Sequence, residues 1–198
     1  LSMGIFTATF HPIVLNRSPH YLRLNTRLWL TKPNLSQKTH CLGAVIGLNP
    51  GSASPYAGQF GQTDSTMNFI LASFREAFKN LNRTIPDNCY VQMLNTFYLK
   101  EHDSNLALQI RVEKSIGVID PEEQSRFPFL WFAWGKAAKP EDYARFLIRE
   151  EPCCWMDEKQ NVFFEKPTDK SVVRHPLFSP KTPRVNMISQ MLDRFPTE

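Results

Sequence analysis

Cys41-Leu42-Gly43-Ala44-Val45-Ile46-Gly47-Leu48-Asn49-Pro50-Gly51-Ser52 is the stretch that decides the fold. Eight residues of nearly unbroken apolar character suit a strand buried on both faces, as in a parallel sheet, and Asn-Pro-Gly-Ser then closes it with strong loop chemistry. The same plan recurs downstream. Tyr90-Val91-Gln92-Met93-Leu94 reads as a strand ending at Asn95, and the apolar run Phe127 to Trp134 ends at Gly135. Upstream, Tyr21 to Leu30 alternates in part and reads as an opening strand before the turn Lys32-Pro33-Asn34. Cys153 to Phe164 holds one or two short strands, with Cys153 and Cys154 on opposite faces.

Helices are expected between these strands. Asp64 or Ser65 caps one running to about Leu81, whose Met67, Ile70, Leu71, Phe74 and Phe78 keep helical spacing. Others are expected from Ser104 to about Ile116 with Gly117 near the end, after Pro140 through Tyr143, Phe146 and Leu147, and from Pro183 to Phe195. Strand–helix alternation predicts one domain over residues 1–198, a three-layer α/β/α fold with a mainly parallel central sheet. Ligands of such sheets sit beyond the carboxyl ends of the strands, which gathers Asn49, Asn95, Gly135 and His175 at one edge.

Composition bounds the function without choosing it. The chain has 198 residues, 42% hydrophobic and 21% charged, with 12% aromatic residues that serve mainly as core. A net charge of +4 permits contact with phosphates but does not require it. Arg17, Arg23, Arg27, Lys32 and Lys38 read as one positive surface, and Lys166, Lys170, Arg174, Lys181 and Arg184 as another. Four cysteines without a CxxC pair, and no His at zinc-finger spacing, argue against an iron–sulfur or zinc site and for a reduced, cytoplasmic setting, and no metal or other cofactor is expected. No stretch is long and apolar enough for a membrane span, and Leu1-Ser2-Met3-Gly4 lacks the organisation of a secretory signal. Phosphate-loop, dinucleotide and nucleophile-elbow motifs are missing from the sequence.

Each candidate residue has a plain reading beside a chemical one. Asn49 either closes an Asx turn or uses its amide to position a water or sugar hydroxyl, with Gly47 and Gly51 letting backbone approach a ligand. Asn95 either ends its strand or pairs with the edge of a pyrimidine. Asp64 caps its helix or orients water, and His175, held before Pro176, is structural or donates to an oxygen gaining charge.

Taken in order, these segments resemble the uracil-DNA glycosylase superfamily. Gly47-Leu48-Asn49-Pro50-Gly51 resembles the first motif of its mismatch-specific branch; in the principal branch an Asp occupies the Asn49 position. Leu94-Asn95-Thr96 resembles the strand end bearing the base-reading Asn. Phe129 to Ala138 looks like the apolar strand ending in Trp-Gly, and Arg174-His175-Pro176-Leu177-Phe178-Ser179-Pro180 is similar to the His-Pro-Ser loop, with Leu177 where Ser is usual. The closer resemblance is to an uncharacterised bacterial family with an arginine-rich opening strand (Leu22–Trp29 here), an Asn-Pro-Ser loop, Asp-x-Thr (Asp64-Ser65-Thr66) and His-Pro-Leu.

The resemblance implies a monomeric DNA glycosylase that flips a uracil or modified pyrimidine, such as a hypermodified phage base, out of DNA and serves repair or defence. Asn49, His175 and Asp64 would be catalytic; Asn95, Phe60, Phe69, Gly47 and Gly51 would hold the base; Ser52, Arg174, Ser179 and Lys181 would grip phosphates. No minor-groove wedge is evident in the sequence. A non-catalytic nucleotide-binding module and a hydrolase of free nucleosides are the competing classes.

Overall fold

The structure, a computed structural model, describes residues 4–15, 17–114 and 118–196. Among these residues, eight strands form one sheet: β1 (Ile5–Leu15), β2 (Ser18–Trp29), β3 (His40–Gly47), β4 (Gly61–Gln62), β5 (Cys89–Asn95), β6 (Leu130–Phe132), β7 (Cys153–Met156) and β8 (Val162–Phe163). The helices are α1 (Ser65–Asn80), α2 (Ser104–Lys114), α3 (Pro140–Leu147) and α4 (Lys181–Arg194). The expected end of α2 at Ile116 and Gly117 lies outside the described residues.

The sheet order is β4-β1-β2-β5-β3-β6-β7-β8, and it corrects the expectation of a mainly parallel, uracil-DNA glycosylase-like sheet. Only β5-β3, β3-β6 and β6-β7 are parallel; β4-β1, β1-β2, β2-β5 and β7-β8 are antiparallel. The sheet is mixed, with antiparallel pairing in the majority. The cause is the β1-β2 hairpin, whose register closes at Leu15↔Ser18 with Arg17 at φ 65°. β1 carries Pro12 and its turn has no glycine, so neither strand nor turn chemistry announced it.

Apolar side chains cover both faces. On one, Met67, Ile70, Leu71, Phe74 and Phe78 of α1 and Val185, Ile188 and Met191 of α4 pack on Leu28, Val45, Val91, Met93, Trp131 and Cys154. On the other, Ala107 of α2 and Tyr143 and Phe146 of α3 join Ala44, Ile46, Leu94, Phe132, Cys153 and Trp155. Strict alternation explains this partition: neighbours in β6 and β7 enter opposite cores, so those segments must be apolar throughout. Burial raises the Cys153 thiol to about 11 and the Cys154 thiol well above its ordinary value, so both stay inert core residues. Among the described residues, no helix is long and apolar enough to cross a membrane.

One irregularity positions chemistry. The β1-β2 register shifts between Thr7 and Thr9, and Asn25 sits opposite the shift at φ 47°. An extra residue there reverses the side-chain parity of β2. Simple alternation would place Arg23 and Arg27 on one face. Instead Arg27 stacks over Tyr90, while Arg23 turns toward Phe6 and Asp64 on the α1 face.

Candidate functional site

The parallel strands β3, β5 and β6 end at the same edge, and the ladder continues into their loops. Thr96 N–H donates to Gly47 O at 2.9 Å, Phe97 N–H to Leu48 O at 3.2 Å, and the Thr96 hydroxyl to Leu48 O at 2.6 Å. The His175 loop reaches this edge because Val173 bridges Asp157, just past β7, and Arg174 N–H donates to Met156 O at 2.8 Å. The result is a cavity of about 900 Å³ bordered by Gly47, Asn49, Gly51, Ser52, Asp64, Asn95, Arg174 and His175 among the residues singled out in sequence. That size suits a nucleoside-scale or larger ligand.

Asn95 is the most informative member. Its side chain is 1% exposed and borders the cavity, yet neither its amide oxygen nor its nitrogen has a hydrogen-bond partner among the described residues. Gly47 makes room for it, since a Cβ there would lie 3.0 Å from Asn95 Oδ1. The backbone around it is fixed from behind. Asn95 N–H donates to Tyr98 Oη at 3.2 Å, and Arg145 Nη2 donates to Asn95 O and Thr96 O at 3.0 Å each. Glu123 joins the two supports, accepting from Tyr98 Oη at 2.6 Å and from Arg145 Nε at 2.7 Å. Burial, then Glu123, pushes the Tyr98 phenol well above its usual value, so it remains a proton donor.

Asn49 is held in one orientation. Its Nδ2 faces Pro50 O at 2.9 Å, Glu101 O at 2.9 Å and Leu99 O at 3.4 Å, so the reverse amide would set oxygen against three carbonyls. Its Oδ1 is left as the acceptor for a water or ligand. Asp64 does cap α1: Oδ1 accepts from Met67 N–H at 2.9 Å. Oδ2 receives Ala53 N–H at 3.4 Å and lies 3.8 Å from Arg23 Nη1. Gly51 admits this carboxylate, because a Cβ there would come within 2.8 Å of Asp64 Oδ2.

His175 starts the short 3-10 turn Pro176–Phe178, and its Nδ1 accepts from Leu177 N–H at 3.2 Å. The neutral ring therefore carries its proton on Nε2 and is a donor there. Burial lowers its pKa, with Asp64 pulling the other way, so the imidazole is neutral at pH 7. Gly135, at φ 78°, lets the chain pass with its Cβ position only 3.3 Å from His175 Cβ. Ser179 Oγ donates to His175 O at 3.1 Å, and Arg184 bonds Ser179 O and, at 2.7 Å, Ser73 Oγ, tying the loop to α4 and α1.

The remaining expected residues are placed elsewhere or used otherwise. Phe60 and Phe69 do not border the cavity, and Phe69 lies under the Arg184 guanidinium at 4.1 Å. Ser179 is buried as a brace, and Arg174 donates to Phe178 O and, at 2.6 Å, to Glu158 O. Lys181 faces Glu76 at 3.7 Å. Arg184, assigned in sequence to a positive surface, is 4% exposed.

Of the bordering residues that sequence reasoning does not assign to the site, Arg23, Trp134 and Phe178 differ most from their sequence reading. Arg23 reads in sequence as surface charge, because the bulge that inverts β2 leaves no mark in composition. Trp134 borders the cavity at the end of its strand before Gly135, but its ring is 2% exposed and packed between Tyr143, stacked at 4.6 Å, and Phe132 at 5.0 Å, so it leaves no open face for a ligand. Phe178 is 70% exposed at the rim beside Leu177, an apolar projection that the sequence did not disclose. Comparison of the chain with protein-family models, curated proteins and solved structures finds no match.

Proposed function

We propose that this cavity holds a flipped nucleobase and hydrolyses its N-glycosidic bond, as a DNA glycosylase does. The doubly unpartnered, buried amide of Asn95 carries the reading. A native structure rarely leaves both polar atoms of such a group unsatisfied, because each costs about 1–3 kcal/mol. A ligand edge with one donor beside one acceptor satisfies both, and pyrimidine edges have that pattern. Val45, Met67, Ile70 and Met93 give the cavity an apolar lining against which the ring packs, and Phe178 and Leu177 offer apolar surface to the bases left behind in the strand.

The chemistry follows from charge. As the anomeric carbon–nitrogen bond breaks, its electron pair leaves with the base and the sugar becomes cationic. Asn49 Oδ1 accepts a hydrogen bond from the attacking water, whose oxygen bonds the anomeric carbon and whose proton passes to solvent. The Asp64 carboxylate stabilises the cationic sugar through space rather than serving as a free base, since the α1 N-terminus and Ala53 already engage it. The neutral His175 donates from Nε2 to the departing base's oxygen. The base leaves as an anion and takes a proton from water.

The test is incubation with duplexes carrying uracil, thymine mismatches or modified cytosines, followed by detection of abasic sites. Wild-type protein generates them on at least one duplex, and Asn95→Ala loses at least tenfold. Binding without strand modification would favour a non-catalytic module; neither binding nor release from any duplex, phage DNA included, would refute the proposal.

A further inference from the structure

Arg23 is a charged group that the hydrolysis above leaves idle. It is 1% exposed on β2 and borders the same cavity as Asn95. Its contacts are loose: Nη1 lies 3.5 Å from Ala53 O and 3.8 Å from Asp64 Oδ2, and Nε has no hydrogen-bond partner among the described residues. Burial, partly offset by Asp64, brings its pKa down to about 10, so the guanidinium remains charged at neutral pH. Asp64 compensates it only in part, since its Oδ2 stands 3.8 Å from Nη1 and leaves Nε without a hydrogen-bond partner among the described residues. A desolvated cation with an unused N–H, in a cavity with an unsatisfied amide, is built to meet negative charge that is not always present.

The geometry points to Arg23 as a further catalytic residue that stabilises the anionic leaving base through its free Nε–H. This rests on reading the cavity as a base pocket. The transition state carries one positive and one negative centre, and the Arg23–Asp64 pair supplies one charge of each sign against them. His175 then shares the base's negative charge with Arg23 and need not become an imidazolium. Arg23 also favours leaving groups that depart as stable anions, so the substrate class is a base that is acidic once free.

The test measures affinity for two free bases at pH 8: uracil, which is neutral there, and 5-nitrouracil, which is an anion. Wild-type protein binds 5-nitrouracil at least tenfold more tightly, and the anion shifts the Arg23 Nε–H resonance. Arg23→Met abolishes the preference while retaining uracil binding. Should that variant fail to fold, Arg23→Lys, which keeps a charge beside Asp64 but lacks Nε–H, loses most of the preference, and the wild-type resonance remains a direct readout. Binding of both bases without an Arg23-dependent preference, or with Nε–H unmoved, overturns the assignment and leaves the base pocket standing. Binding of neither base overturns both.

Discussion

Tyr98→Phe removes one oxygen from the support behind Asn95, and its cost follows from the atoms left behind. The phenol is 1% exposed, accepts Asn95 N–H at 3.2 Å and donates to Glu123 at 2.6 Å. The second bond has a charged partner, for which about 1.5–3 kcal/mol is usual; the first leaves a buried donor orphaned, at about 1–3 kcal/mol. Glu123 keeps both Arg145 bonds, at 2.7 and 2.9 Å, so its own loss is partial. About 3 kcal/mol is therefore expected, and at about 2–4 °C per kcal/mol for a chain of this size Tm falls by about 6–12 °C. Urea and thermal denaturation of both proteins measure it, and the Asn95 side-chain amide resonances report whether the amide has shifted. A loss below about 0.5 kcal/mol, the size of an ordinary surface change, with those resonances unmoved, would refute the claim that this network fixes Asn95.

Three other perturbations probe the remaining loops. Asn49→Asp sets a carboxylate oxygen against the carbonyls of Pro50, Leu99 and Glu101, so urea melts show a loss of about 1–3 kcal/mol; unchanged stability would mean the amide is not held there. Gly135→Ala forces a side chain onto φ 78° and against His175, costing about 1–2 kcal/mol from the backbone alone and shifting the His175 ring resonances. For His175 the folded pKa is depressed, so the unfolded chain takes up the proton first. Its contribution is complete above about pH 6.5, the unfolded value, and is lost as pH falls toward the folded one. His175→Asn keeps an acceptor for Leu177 N–H and flattens that part of the stability–pH curve; equal slopes in both proteins would contradict the burial argument.

What sequence discloses here follows from which forces are local. The helix from Asp64 was legible because cap and apolar spacing lie within one segment, and β3 and β5 were legible because burial on both faces demands continuous apolar residues. The hairpin was not: β1 is half-exposed, contains Pro12 and pairs through backbone groups that every residue has. That omission turned a mixed sheet into an expected parallel one. Within the site, Asn49, Asn95, Asp64 and His175 stood out because polar residues follow apolar strands or a constrained loop. Arg23 did not, since its direction depends on a bulge defined only by pairing with β1. Ser179, Arg174 and Lys181 are phosphate ligands only by resemblance, which carries no information on local bonding; here Ser179 and Arg174 donate to backbone carbonyls and Lys181 faces a carboxylate.

The central claim is that one cavity releases a base held by Asn95. Mass spectrometry of the small molecules freed from diverse genomic and viral DNAs tests it most directly. The account predicts a discrete heterocycle that appears with wild-type protein and vanishes with Asn95→Ala. Identical supernatants from the two proteins and from a protein-free control would contradict it.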